Sequence, residues 1–214
     1  MGKSFLFDRI AKVYGLFFDK QVKDFRHSLN SIKDRLNLSG YQSVVDIGCG
    51  TGALCMALQE YGLKVIGIDP AVNMLNIATK KINDFGLNNQ EIQFMHGDIL
   101  KGIPLCDKEV DLAISSYVAH GFMPEERAIL FNEMKRIARH GAVLLDYNKN
   151  RSLVTDVIEW LEGGNYFGFI DNIEDELLGQ FGNLEIINTG RYSAIYICRM
   201  EQERTQEDGE LQCQ

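Results

Sequence analysis

Apolar residues along this chain recur at two periods in alternation, and the alternation predicts the architecture. Ser43-Val44-Val45-Asp46-Ile47 is a short β-branched run that stops at a cluster of glycines, and Ala53 to Tyr61 follows as a helix. Lys64 to Asp69 reads as a second strand. Val72, Leu75, Ala78, Ile82 and Phe85 then recur three and four apart, the pattern of one helical face, and Pro70 suits the first position of that helix. Glu91 to His96 and Val110 to Ser116 are the third and fourth strands. The next helix opens on Pro124, Glu125 and Glu126 and turns Leu130, Phe131, Met134, Ile137 and Ala138 to one side. Arg136, Arg139 and His140 close it, with Gly141 as its C-terminal cap. Ala142 to Tyr147 is a fifth strand, and Leu153, Val154, Val157, Ile158 and Leu161 mark another helical face. Leu184–Asn188 and Tyr192–Arg199, joined at Thr189-Gly190, read as an antiparallel hairpin.

Strands that alternate with helices imply parallel pairing and right-handed crossovers, so the predicted class is α/β, a doubly wound Rossmann-like sheet. Residues 1–40 fall outside the alternation. They read as an N-terminal helical cap with Phe17, Phe18, Val22, Phe25 and Leu29 on one side. Residues 41–200 form the α/β domain, and residues 201–214 read as a disordered acidic tail. Gly163 to Phe169, glycine-rich and aromatic, is expected to be a substrate lid or an ordinary connection. Ligands of such sheets sit beyond the carboxyl ends of the strands. Function is therefore sought just after Ile47, Ile68, Met95, Ser115 and Leu145.

Composition narrows the partners. The chain has 214 residues, 45% hydrophobic and 24% charged, and a net charge of −8. It carries no Lys/Arg block, so neither a nucleic acid nor an anionic membrane is the expected partner. The five cysteines, Cys49, Cys55, Cys106, Cys198 and Cys213, are odd in number and lack metal-ligand spacing, so no metal site is expected. No apolar run approaches the ~18 residues of a membrane span and no signal pattern opens the chain. No membrane insertion is expected, and the expected compartment is the cytoplasm.

The strand ends carry the chemistry. Gly48, Gly50 and Gly52 let the chain turn sharply after the first strand and let a ligand lie on the backbone. The helix that follows points its N-terminus at that ligand. A dinucleotide would need G-x-G-x-x-G, which Gly48, Gly50 and Ala53 imitate if alanine replaces the last glycine. Asp46 beside the turn would repel a pyrophosphate but suits an ammonium or sulfonium. Asp69, ending the second strand, is placed to accept from both ribose hydroxyls or to cap the next helix. Asp98 could accept from an exocyclic adenine amine, with Ile99 packed on the ring, or simply shape a surface turn.

Taken together, Val44 to Gly52, Val65 to Asp69, Gly97-Asp98-Ile99 and Val110-Asp111-Leu112 resemble class I S-adenosylmethionine-dependent methyltransferases. The chain is similar to their type-11 branch, which includes the ubiquinone/menaquinone C-methyltransferases. Phe7-Asp8-Arg9-Ile10-Ala11-Lys12-Val13-Tyr14 resembles that branch's N-terminal helix. The resemblance covers roughly residues 5 to 147. It implies a seven-stranded sheet in the order 3-2-1-4-5-7-6 with strand 7 antiparallel, and S-adenosyl-L-methionine as cofactor. By the resemblance, Asp46, Gly48, Cys49 and Gly50 would hold the methionine moiety, Asp69 with Pro70 the ribose, and Met74, Asp98 and Ile99 the adenine. Ser115 would line the same crevice, and Tyr14 would face the sulfonium. The branch's usual Leu-Lys-Pro-Gly-Gly is here Ile137-Ala138-Arg139-His140-Gly141, and the second half of the chain matches no acceptor-specific pattern.

Methyl transfer from a sulfonium is an in-line displacement that needs positioning more than acid or base groups. His120 and Tyr147 are the candidates for a catalytic role, and Tyr117, His120 and Tyr147 for an acceptor pocket. A loop histidine and rim aromatics are the ordinary alternatives. The expected function is methyl transfer to a small molecule. An NAD-binding oxidoreductase and a non-catalytic S-adenosylmethionine-binding protein remain the competing classes.

Overall fold

A computed structural model of the chain describes residues 15–87, 90–150 and 165–200. Seven strands form one sheet: β1 (Ser43–Ile47), β2 (Lys64–Asp69), β3 (Ile92–His96), β4 (Val110–Ser116), β5 (Ala138–Tyr147), β6 (Glu185–Asn188) and β7 (Ser193–Arg199). Their spatial order is β3-β2-β1-β4-β5-β7-β6. The pairs from β3 through β5 are parallel, whereas β7 runs antiparallel to both β5 and β6. The resemblance implied this order, and the hairpin at the end of the chain supplies its reversed strand.

Among the described residues the α-helices are α1 (Phe18–Ser31), α2 (Ala53–Gln59), α3 (Val72–Asp84), α4 (Pro124–Ile137) and α5 (Tyr166–Phe181). Side chains of a strand point alternately to the two faces of the sheet, and the core divides accordingly. Val45, Ile47, Ala113, Leu144, Tyr196 and Cys198 pack with α4 and α5 on one face. Val44, Leu112, Ile114, Val143, Leu145 and Ile195 pack with α1, α2 and α3 on the other. Burial on both faces explains why these strands read as near-continuous apolar runs. Each fully buried aliphatic side chain contributes about 1.5–3 kcal/mol.

Four local expectations need correction. The helix opening at Pro124 was expected to close at His140, but α4 ends at Ile137 and Ala138 already belongs to β5. Gly141 is consequently not a helix cap. It pairs with Arg199, and a Cβ there would lie 2.6 Å from the Cys198 carbonyl oxygen, so close strand approach requires glycine. Pro70 precedes α3 by two residues instead of opening it. Phe17 is 56% exposed, because one helical step turns it away from the Phe18, Val22 and Leu29 face. Val72 and Phe85, the ends of the expected α3 stripe, are also exposed, while Leu75, Ala78 and Ile82 between them are buried.

The segment read as a lid or a connection is, from Tyr166 onward, the first turn of α5, with Tyr166 and Phe169 buried. The expected helix at Leu153–Leu161, Tyr14, the segment from Phe7 to Tyr14 and the tail 201–214 lie outside the described residues. Among the described residues, no helix is long and apolar enough to cross a membrane.

Candidate functional site

The sheet's order reverses between β1 and β4. β2 and β3 continue from one side of β1 and β4 from the other, which opens a crevice at the carboxyl ends. The turn after β1 forms its floor. Gly48, Gly50 and Gly52 have φ of +77°, +53° and +80°, a region that side chains rarely adopt. The three are not equivalent. A Cβ on Gly52 would lie 2.8 Å from Cζ of Phe94 and 3.2 Å from Cβ of Ala78. A Cβ on Gly48 would collide with Val118, in the loop after β4. A Cβ on Gly50 would meet nothing within 4 Å. Gly52 and Gly48 are thus held by packing, and Gly50 presents bare backbone to open space.

Two carboxylates frame that backbone. Asp69 accepts from the Gly50 N–H at 2.8 Å through Oδ2 and from the Ala71 N–H at 2.8 Å through Oδ1. It therefore ties the turn to the start of α3. The capping alternative holds only in this indirect form, because Ala71, not Asp69, is the N-cap residue of α3. Asp46 is fully buried. Its Oδ2 accepts from the Cys55 thiol at 3.3 Å, and its Oδ1 has no hydrogen-bond partner. Burial pushes its pKa up to about 7. A buried acceptor without a donor is costly, and a ligand ammonium is a group that relieves it.

The other candidates named from the sequence each have contacts of their own. Cys49 is buried and turns toward Gly67, and burial pushes its thiol up to about 11, so it contributes backbone and bulk, not reactivity. Met74 is buried with Ala71 at the start of α3. Asp98 accepts from the Leu100 N–H at 3.1 Å and pairs with Lys101 at 2.9 Å, which shapes the turn that buries Ile99. Ser115 donates to the Ile47 carbonyl at 2.9 Å and is buried, so it fastens β4 to β1 at the crevice.

Beyond β4 and β5 the structure gathers an aromatic group. Tyr147 lies edge-on to Tyr117, His120 and Tyr166, with ring centres 5.6, 4.9 and 5.1 Å apart. Tyr117 has φ of +53°, which is strained for an aromatic residue. Its N–H donates to Leu145, and burial, followed by the nearby Asp146 charge, raises its phenol pKa. His120 Nδ1 lies 2.7 Å from Oδ1 of Asp146, which is 1% exposed. Sequence reasoning named His120 but missed Asp146, 26 residues away.

It also missed Arg127, a fully buried guanidinium. Arg127 donates to Glu176 through Nε and Nη2 and to the Phe122 carbonyl through Nη1, and it lies over the Phe169 ring. It locks α5 against the loop that carries His120. On the other face, Gln21, Asp24 and Ser28 of α1 line a cavity of about 160 Å³ with Tyr117 and Thr189. Among the described residues, no group of three or more His, Cys, Asp and Glu side chains could hold a metal ion.

The family described as "Methyltransferase domain", type 11, matches residues 45–145, which span β1 through β5 and the whole crevice. Residues 45–145 are a domain of the type-11 branch of the class I S-adenosylmethionine-dependent methyltransferases. An uncharacterized methyltransferase of Geobacillus sp. (strain WCH70) is 28% identical over 146 residues, covering 66% of this chain and 65% of that protein. The demethylmenaquinone methyltransferase of Oceanobacillus iheyensis is 32% identical over 114 residues, covering 50% and 44% respectively. The chain thus matches under two thirds of the length of these relatives. The structure of magnesium protoporphyrin IX methyltransferase from Synechocystis PCC 6803 with bound S-adenosylhomocysteine superposes with a TM-score of 0.60. It is 19% identical and covers 94% of this chain and 89% of that one, so it shows the fold. The family's cofactor is S-adenosylmethionine. The bare face of Gly50 and the unpartnered Oδ1 of Asp46 fit its aminocarboxypropyl end.

Proposed function

We propose that this protein transfers the methyl group of S-adenosylmethionine to a small molecule by in-line displacement. The observation that carries the reading is the pair of carboxylates around the Gly50 backbone, one of them buried with an orphaned oxygen. In this reading Asp46 receives the ammonium of the methionine moiety, and Asp69 accepts from the ribose. Asp98 and Ile99 border the adenine, with Met74 behind. Tyr14 is the proposed contact to the sulfonium. The cofactor supplies a methyl group already activated by its positive sulfur, so the chain's task is to hold donor and acceptor in line and exclude water.

Two features favour this over a dinucleotide-dependent oxidoreductase. Asp46, two residues before Gly48, is buried and close enough to Asp69 to feel its charge, and two carboxylates there would repel a pyrophosphate. The antiparallel β7 and the sheet order match the methyltransferase arrangement. Residues 1–40 act as a helical cap on the 41–200 domain in the same reading. Their described part, α1, packs Phe18 and Val22 on Ala53 and Met56 of α2, just behind the glycine turn.

The test is incubation of the protein with methyl-radiolabelled S-adenosylmethionine and a fractionated cell extract. The reading predicts label in a new small compound that passes a protein-retaining membrane. Label found only in macromolecules would overturn the small-molecule acceptor. Donor binding with no transfer to any fraction would leave a non-catalytic binding protein.

A further inference from the structure

Helix α1 carries two stripes. Its apolar stripe packs Phe18 and Val22 on Ala53 and Met56 of α2. Gln21, Asp24 and Ser28, three and four residues apart, share a neighbouring face. That polar face lines a cavity of about 160 Å³ whose other wall is Tyr117, Leu145 and Ala194, at the carboxyl ends of β4 and β5 and the start of β7. We infer that this cavity holds the methyl acceptor by an organic ammonium, with Asp24 and Gln21 as the recognition groups. A ring-sized hydrocarbon part of the same molecule lies against Phe25, Tyr117 and Leu145. This deepens the proposed function and rests on it.

The lining sets the sign of the ligand. Among the described residues that line the cavity, Asp24 is the one charged side chain and none is basic. Its partner Lys20, at 2.6 Å, stands one turn back along α1, and both side chains are mostly exposed. Such a pair is screened by water, and a ligand cation displaces it at little cost. The Asp24 charge reaches across the cavity: burial and then Asp146 raise the Tyr117 phenol pKa, and Asp24 adds to them.

Gln21 adds a demand for a donor. Its Oε1 is buried and has no hydrogen-bond partner. A buried acceptor left unsatisfied is costly, and an N–H of the ligand relieves it. An ammonium has three donors and no acceptor, so one group can serve Gln21 and Asp24 together. A carboxylate or phosphate would serve neither.

Placement ties the cavity to the donor site. The Tyr117 N–H donates to the Leu145 carbonyl at 2.8 Å, which fixes two of the walls to each other. Tyr117 keeps φ of +53° there, a conformation that a bulky residue rarely adopts. Val118, the next residue, packs against Gly48 of the cofactor turn. The cavity thus stands one residue from the wall of the crevice. An apolar cavity of roughly 150 Å³ admits benzene, so the volume suits one ring. An ammonium has no lone pair, so the charged group is the anchor and the methyl goes to another atom of the same molecule.

The test uses three probes of one size, 2-phenylethylamine, 2-phenylethanol and 3-phenylpropanoate, with the full chain. Calorimetry first measures S-adenosylhomocysteine binding. Its absence overturns the function proposed for the crevice, and the acceptor role of the cavity with it. With S-adenosylhomocysteine bound, the amine should bind at least about fivefold more tightly than the alcohol, and the acid should bind weakest. Asp24→Asn should reduce the amine's advantage by about twofold to fivefold, a loss that shrinks in about 1 M salt. Gln21→Leu should weaken the amine and the alcohol, which donate, and spare the acid. Ser28→Leu, which places bulk in the cavity, should weaken all three. Circular dichroism and S-adenosylhomocysteine affinity check that each variant is folded. Equal affinity for the three probes, tightest binding of the acid, or no binding of any overturns the cavity proposal alone. So does an amine advantage that survives both Asp24→Asn and Gln21→Leu, or binding that survives Ser28→Leu.

Discussion

Replacing Asp69 with alanine separates the carboxylate's two duties. In the folded chain it accepts from the Gly50 and Ala71 N–H groups, both at 2.8 Å, and it is 8% exposed. Hydrogen bonds to a charged acceptor are worth about 1.5–3 kcal/mol each. The two freed N–H groups border the crevice and regain some hydration, so a net loss of about 2 kcal/mol of stability is expected. For a domain of this size that corresponds to a melting temperature lower by roughly 4–8 °C. The same substitution removes the acceptor proposed for the ribose, which should weaken S-adenosylhomocysteine by about tenfold to a hundredfold. Calorimetry with S-adenosylhomocysteine and its 2′-deoxy analogue completes a double cycle. In the wild type the missing hydroxyl should cost affinity, and in Asp69→Ala it should cost almost nothing more. An equal penalty in both proteins would refute the ribose contact, even if Asp69→Ala binds weakly, because the loss would then come from a disordered turn.

Four other substitutions probe different parts of the molecule. Gly50→Ala, with nothing within 4 Å of its Cβ, should cost only the left-handed penalty of about 1–2 kcal/mol yet weaken S-adenosylhomocysteine more than tenfold by calorimetry. Gly52→Ala should lose more stability in urea, about 2–5 kcal/mol, because Phe94 and Ala78 block it. Asp46 has its folded pKa raised to about 7, so its contribution to stability is whole at acid pH and is lost as pH rises through about 7. Asp46→Asn should abolish that loss in urea titrations, whereas wild-type affinity for S-adenosylmethionine should rise through the same window and the variant's should not. Arg127→Met leaves Glu176 and the Phe122 carbonyl without their donor and should cost roughly 3 kcal/mol. An unchanged urea midpoint would show that the clamp is dispensable.

The sheet was legible because its signal is local. Buried parallel strands announce themselves as β-branched runs, and the glycine turn, Asp46 and Asp69 lie at their ends in sequence as well as in space. The helix α5 was equally periodic, with Tyr166, Phe169, Ile170, Ile173, Leu177 and Phe181 on one face. Gly163, Gly164 and Gly168 drew attention to flexibility instead, although at Gly168 tertiary burial of the helix outweighs the modest helix penalty of glycine. The end of α4 was misread because Arg139, His140 and Gly141 imitate a helix terminus. In fact Arg139 leaves the helix to pair with Asp111 at 3.1 Å, and Gly141 serves the β5–β7 approach. The contact between His120 and Asp146 could not be read. His120 and Asp146 belong to neighbouring strand ends, and nothing in a one-dimensional pattern records that β4 and β5 are paired in register there. Arg127 was hidden for a related reason, since an arginine in an amphipathic helix ordinarily faces solvent.

The central claim is that the crevice beyond β1 and β4 is built for S-adenosylmethionine and not for a dinucleotide. A thermal-unfolding comparison of S-adenosylmethionine, S-adenosylhomocysteine and NAD tests it most directly. A ligand at 100 times its dissociation constant stabilises the folded chain by about 2.7 kcal/mol. The account predicts a shift of that order with both sulfur ligands and none with NAD. A shift with NAD, and none with the other two, would contradict it.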